Sequence, residues 1–494
     1  MATYENIVRS SNKEQPLASE DYVPRVMPAR LGTLDMTALY LVVVFFINNA
    51  AGAAISGPAA FTYLALGAIT FFLPCAIATA QLGHMFPHEG SLYNWTHKAL
   101  GGYWSFFVGF CAWFPGVLVI VSGANILVTF IQGLNHNWLT QLWEQGAFIT
   151  AVILFSGLIA SRRMRTIQYI VNIVVGLIGV AVMLIGLAGI LWLLTGHQSA
   201  TNFGDLNAWS IKWGNSEGAN IAQFGLITLA YLGVEVPLNM GGEISEHRVV
   251  TRHLFWGTLL TLLGYFIATF SLLVVRGNNV SNFDLIALVD AALGKFAGDI
   301  TAIGILSFFA IIPVVYNCAF SRLLFVGAID QRLPVGVGKL NRHRAPANAI
   351  ILQTIAAAIF TLLTYFVVPH LANLGKPADL SLEVYSVTQA TATLVWAISS
   401  AFFFFNLWML FFRDRQYFHL HRIFPMPVLV ICSIVGPLAC FVAMIDTLLN
   451  SWIVQIPSSS WWYIVGGVTL LCLGIAAVGS MFASSKASWE HWES

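Results

Sequence analysis

Glu235 is isolated in its surroundings. Between Glu217 and Glu243 no other residue is charged, and "AYLGVEVPLNMGGEIS" (230–245) lies in an apolar stretch long enough to cross a membrane. A charged acid at the centre of a membrane helix costs about 2.5–3.5 kcal/mol on insertion scales, so it faces a cavity, pairs, or holds a proton. Gly233 precedes it by two residues and Pro237 follows it by two. Inside a helix glycine costs about 1 kcal/mol relative to alanine, and proline, which deletes a backbone hydrogen bond, about 3 kcal/mol. The same succession of glycine and proline recurs in "NNAAGAAISGP" (48–58). Two broken helices are expected. An unwound segment exposes N–H groups at a positive helix terminus, which suit a carboxylate, and carbonyls, which suit an ammonium. An amino acid offers both groups. The candidate substrate-binding residues are therefore Ala51, Gly52 and Ala53 at one break and Leu229, Ala230, Tyr231, Leu232 and Gly233 at the other. Asn48 and Asn49 reach the ligand or cap the unwound end; Tyr316, Asn317 and Trp113 are further polar candidates. Glu235 is the proton-coupling candidate, against the alternative of a permanently protonated structural acid.

The composition states what must hold these residues. With 58% hydrophobic and 9% charged residues over 494 positions, the chain belongs in a bilayer. Apolar runs of about 20 residues, the length that crosses roughly 30 Å of hydrocarbon, recur twelve times. They cover 35–58, 60–83, 102–132, 146–160, 167–195, 219–241, 253–275, 298–325, 348–368, 384–411, 425–450 and 461–485. Strands of a barrel would run about 10 residues with alternating polarity, so these are helices. The expected fold is an all-α membrane protein with twelve transmembrane helices. Span 1 opens spans 1–5 and span 6 opens spans 6–10, and breaks at corresponding positions point to a 5+5 inverted repeat. The chain then divides into an N-terminal tail (1–34), a first repeat (35–195), a second repeat (219–411), two extra helices (425–485) and a C-terminal tail (486–494).

Of the 23 Lys and Arg residues, all but Lys212, Arg276, Lys295 and Lys376 fall on the side of the two termini. Positively charged loops stay in the cytoplasm, so both termini are expected there, in a multi-pass protein of the plasma membrane. The net charge of +1 hides this asymmetry and gives no reason to invoke nucleic acid. "SRRMR" (161–165), "NRHR" (341–344) and "RDR" (413–415) read as topology determinants, or as contacts for anionic lipid heads. Residues 1–30 lack the apolar core of a cleavable signal peptide. All six cysteines fall within spans, away from metal-ligand spacing, so neither a metal nor a disulfide-linked subunit is expected. The histidines sit in loops or near span ends and form no mid-membrane relay. No phosphate-binding G-x-x-x-x-G-K-[ST] loop is present, which argues against ATP-driven transport and leaves no cofactor to expect. No nucleophile–base or acid–acid pair within the spans suggests an enzyme, and filter motifs of a channel are absent. Spans 11 and 12 leave monomer and homodimer open.

Four stretches together resemble the amino acid/polyamine/organocation transporters. "AYLGVEVPLNMGGEIS" is similar to their aromatic-x-Gly-Val-Glu element, followed eight residues later by a second acid, Glu243. "LGHMFPHEGSLYNWTHKALG" (82–101), "FSRLLFVGAIDQRLP" (320–334) and "AGAAISGP" (51–58) resemble the loop after span 2, the end of span 8 and the span-1 loop. The nearest likeness is to bacterial glutamate/GABA antiporters. The resemblance implies the leucine-transporter-like inverted repeat, a small amino acid or amine as substrate, and Tyr231 as a lid over it. Alanines at 51 and 53 depart from the family's glycine-rich loop and imply a narrower cradle. Ile311 and Ile312 stand about where sodium-coupled relatives carry hydroxyls, and span 5 has no lysine, with Tyr169 and Asn172 its nearest polar groups. The reading is a secondary amino acid transporter working by alternating access, coupled to or gated by protons and independent of sodium. Its rivals are an exchanger of the glutamate/GABA kind and a polyamine or amine carrier in which Glu235 pairs with the substrate.

Overall fold

The computed structural model describes residues 17–212, 220–221, 223–367, 377–453 and 456–484. The C-terminal tail and the first sixteen residues of the N-terminal tail lie outside these. Apolar runs uninterrupted by polar alternation satisfy their backbone internally, and the described chain is accordingly helical.

In order, the helices are α1 (Ala18–Val26), α2 (Thr33–Val44), α3 (Asn48–Ala54), α4 (Ala59–Met85), α5 (Ser91–Leu100), α6 (Gly102–Leu134), α7 (Leu142–Ala160) and α8 (Met164–Leu194). After them come α9 (Gln223–Leu229), a 3₁₀ segment (Val236–Glu243), α10 (Arg248–Val275), α11 (Asp284–Leu293), α12 (Lys295–Ile329) and α13 (Ala347–Val367). The last four are α14 (Pro377–Arg413), α15 (Arg415–Leu420), α16 (Met426–Leu449) and α17 (Ser458–Ser484).

Ten described helices are long and apolar enough to cross a membrane, eleven if α2 and α3, bent by 46°, count as one span. The stretch expected as span 6 makes no helix of that length among the described residues. It is two short helical pieces, α9 and the 3₁₀ segment, on either side of non-helical residues 230–235. The N-terminal tail also carries more than a sequence of polar residues announces: α1 is docked by Glu20, which pairs with Lys98 at 2.8 Å and accepts from Asn94 at 2.9 Å.

The most buried spans are α6 and α12, while α7, α8, α13, α16 and α17 expose most of their surface. Apolar residues facing lipid cost nothing, so the outer helices present Leu, Ile and Phe outward. The interrupted elements sit inside this ring. Helices α2 and α3 pack on α10, the 3₁₀ segment packs on α2 and α12, and α9 packs on α3, α4 and α16. All six cysteines are buried and free.

Candidate functional site

At the second break the local sequence explains the geometry. Gly233 has φ +100°, and a Cβ there would lie 2.8 Å from Cγ1 of Val43 and 3.2 Å from the Trp396 indole. Glycine permits both the left-handed turn and the close approach of α2. Pro237 opens the 3₁₀ segment, where an N–H would have no helical partner. Asp446 on α16 accepts the backbone N–H of Gly225 at 2.7 Å, supplying a carboxylate to the first turn of α9.

The first break is not where the glycine and proline suggested. It falls at residues 45–47, Phe-Phe-Ile, and Ala51, Gly52 and Ala53 lie beyond it inside α3. Gly57, at φ +62°, and Pro58 make the turn from α3 into α4 instead. Helix ends leave orphan carbonyls and amides. Here tyrosines from distant helices take them. Tyr316 donates to the Val43 carbonyl at 3.0 Å. The Tyr265 hydroxyl donates to the Val44 carbonyl at 3.1 Å and accepts from the Phe46 N–H at 3.1 Å. That hydroxyl also lies 3.4 Å from Nδ2 of Asn49 and 3.5 Å from the Ala230 carbonyl. One side chain of α10 thus touches both breaks. Sequence reading missed Tyr265, because a tyrosine in an apolar run carries no local mark of what it faces.

The remaining candidates divide. Asn48 donates to the Tyr385 hydroxyl at 2.7 Å, and its Oδ1 is buried with no partner among the described residues. Leu229 ends α9, and Ala230 and Leu232 lie in the break, Leu232 buried. Tyr231 is no lid in this conformation: its ring stacks on Phe72 at 4.5 Å, and its hydroxyl donates to the Leu64 carbonyl at 3.2 Å. It is wedged against the π-helical turn Ala68–Phe72 of α4. Asn317 points away from its neighbour Tyr316. It donates to the Ser156 hydroxyl at 2.9 Å and accepts from Gln353 at 2.7 Å, and Trp113 donates to the same Gln353 at 3.3 Å. Asn317 and Trp113 therefore tie α6, α7, α12 and α13 together instead of lining a break.

Glu235 is 2% exposed. Its Oε1 accepts the Trp396 indole N–H at 2.7 Å, while Oε2 has no hydrogen-bond partner among the described residues. Trp396 in turn stands edge-on to Tyr316, with ring centroids 6.2 Å apart. The acid is thus joined through Trp396 to the residue that holds the first break.

A second charged group lies at the end of the bundle that the arginine count assigns to the cytoplasm. Arg322 of α12 donates to Oε1 of Glu243 through Nε at 3.0 Å and Nη2 at 2.7 Å, and lies 3.4 Å from Oε1 of Glu89. Glu89 accepts the Gly242 N–H at 2.9 Å. All three side chains are buried. Two acids share one guanidinium, and burial, followed by the neighbouring Glu243 charge, pushes the Glu89 carboxyl well above its ordinary range. The carbonyl of Glu243 accepts from the N–H groups of Arg30 and Leu31 at 2.7 and 2.9 Å, which fastens the lead into α2 to the 3₁₀ segment. Three of the quoted stretches, those after span 2, in span 6 and at the end of span 8, meet in this cluster. Their acids and their Ser-Arg were visible in the sequence; their convergence was not.

Residues 31–471 match the family model described as amino acid permease. The chain is 22% identical to an uncharacterised transporter of Legionella pneumophila over 73% of its length and 80% of that protein. It is 22% identical to the gamma-aminobutyric acid permease of Bacillus subtilis over 63% of its length and 66% of that protein. With the branched-chain amino acid permease of Lactococcus lactis the identity is 24%, over 72% and 79%.

Proposed function

The chain belongs to the amino acid permease family, and from that premise we propose a secondary transporter that carries a zwitterionic amino acid by alternating access. Twelve spans in a 5+5 inverted repeat, with α2–α3 and α9–3₁₀ as the broken first and sixth, fit the element order. The membrane is the plasma membrane and both termini face the cytoplasm, as the arginine distribution favours.

The observation that carries the reading is the Tyr265 hydroxyl, which bonds to the unwound backbone of the first break and lies within 3.5 Å of a carbonyl of the second. Where a hydroxyl stands in for missing helical partners, a ligand's ammonium or carboxylate can take the same backbone groups. The substrate is therefore held by the backbone at 43–48 and 229–233, with Asn48 and Asn49 beside it. Residues 51–53 form the wall of that place more than its cradle. Glu235 couples or gates transport with a proton. Sodium is not required, because Ile311 and Ile312 are buried apolar residues where a hard cation would want oxygen.

Purified protein tested by thermal shift against amino acids and their decarboxylated amines, followed by uptake into proteoliposomes with choline in place of sodium, tests this. Stabilisation by amino acids and sodium-independent uptake are expected. Equal stabilisation by the amines, or steep sodium dependence, would count against it.

A further inference from the structure

The arginines of two cytoplasmic-side loops do more than set topology. Arg162 and Arg163, between α7 and α8, Arg165 in the first turn of α8, and Arg342 and Arg344, between α12 and α13, line one cavity of about 900 Å³ together with Arg30 from the lead into α2. Positive-inside bias explains why such residues lie on this side. It does not explain their gathering from three separate segments around a single hollow.

The acids in the lining are already engaged. Glu243 is taken by Arg322. Asp35 accepts from Nδ2 of Asn172 at 2.9 Å and from the Gly32 N–H at 3.0 Å. Among the described residues none of the six arginines forms an ion pair; Arg342 reaches only Nε2 of His343, at 3.3 Å. Six exposed guanidiniums around one space carry more positive charge than the single lining carboxylate without a cationic partner, Asp35, can balance, and a multivalent anion relieves their mutual repulsion. Guanidinium forks match phosphate oxygens in bidentate geometry. The lining also includes Tyr169, 68% exposed near the start of α8, and a tyrosine near a span end lies at the depth of the lipid headgroups.

We propose that this cavity is a binding site for a phosphate-bearing anion, supplied by an anionic phospholipid headgroup or by a soluble phosphate compound. Its occupant joins Arg30 to the two loops. Because the backbone of Arg30 is fastened to Glu243, the anion holds the lead into α2 in the position seen here.

The test reads binding and does not depend on which amino acid is carried. Thermal unfolding of the full chain is measured in uncharged detergent with inorganic pyrophosphate at matched ionic strength, and in nanodiscs of phosphatidylcholine with and without phosphatidylglycerol. Stabilisation by pyrophosphate identifies a soluble anion as a competent ligand; stabilisation by phosphatidylglycerol alone identifies the lipid. In Arg163→Gln/Arg342→Gln the midpoint concentration for that stabilisation should rise at least tenfold. In Arg248→Gln/Arg252→Gln, arginines exposed like the first pair but outside the lining, it should not change. Arg163→Lys/Arg342→Lys keeps the charge and the topology, and should fall between these. No stabilisation in either arm, or an equal loss in the lining pair and the Arg248/Arg252 pair, would overturn the proposal.

Discussion

Replacing Glu235 with glutamine separates a structural acid from one whose proton moves. The amide retains an oxygen for the Trp396 indole N–H, now 2.7 Å from Oε1, but places an NH₂ where Oε2 has no partner among the described residues. An unsatisfied buried donor costs about 1–3 kcal/mol, so the variant should fold with a lowered unfolding temperature. The effect on transport is larger and separable. If one proton moves with each substrate, a one-unit pH difference contributes about 1.36 kcal/mol, which equals roughly tenfold accumulation. Proteoliposomes of the wild-type protein, with the acidic side outside, should therefore approach tenfold accumulation of labelled substrate. Glu235→Gln should stay near onefold and lose the pH dependence of its initial rate. Exchange of external label for internal unlabelled substrate needs no net proton movement, so the variant should still catalyse it, which shows that the site is intact. Near-tenfold accumulation by Glu235→Gln would refute the reasoning and make Glu235 a hydrogen-bonding partner of Trp396 alone.

Tyr265→Phe removes the hydroxyl shared by the Phe46 N–H and the Val44 carbonyl and leaves them only their mutual 3.2 Å contact, at about 1–3 kcal/mol in all. Both the unfolding temperature and substrate affinity should fall, and an unchanged dissociation constant would remove Tyr265 from the site. Gly233→Ala adds about 1–2 kcal/mol for the left-handed conformation and about 1–3 kcal/mol for crowding against Val43; wild-type stability in thermal unfolding would contradict the positive φ. Arg322→Leu leaves two buried acids without their cation, which costs about 3–5 kcal/mol. Glu89→Gln keeps the Arg322–Glu243 pair and should cost far less, with hydrogen exchange at 239–245 rising only in the arginine variant. Burial holds the Asp330 carboxyl at about 6, above its ordinary 3.8, despite two hydrogen bonds from Ser19. Folding around Asp330 therefore takes up a proton relative to the unfolded chain: the stability contribution is fully present below about pH 4 and is lost as pH rises through 6. The unfolding temperature of the wild type should decline over that interval more than that of Asp330→Asn.

The spans were legible because hydrocarbon thickness and internal backbone satisfaction act on single segments, and each leaves its mark within about 20 residues. Predicted 102–132 became Gly102–Leu134, and predicted 425–450 became Met426–Leu449. Shorter elements were not legible. Helix α1 depends on Lys98, Asn94 and Asp330, far along the chain, and α11 occupies part of the connection between α10 and α12 that composition alone does not distinguish from coil.

The two breaks show the same division within one site. Gly233 and Pro237 code the second break locally, since the backbone conformation they permit or forbid belongs to those residues. The first break has Phe45, Phe46 and Ile47, none of which disfavours a helix strongly enough to end one. It persists because hydroxyls from α10 and α12 bond to the groups that a continuous helix would pair with itself. The glycine and proline nearby drew the sequence reading about six residues too far, to 51–53 inside α3. The difference has a functional consequence. A locally coded break remains open whatever surrounds it, whereas one held by Tyr265 and Tyr316 can tighten or loosen as those helices shift. On the proposed function, the first break is the element better suited to respond to substrate, and the second, carrying Glu235 bonded to Trp396, the one better suited to keep the acid in place while it does so.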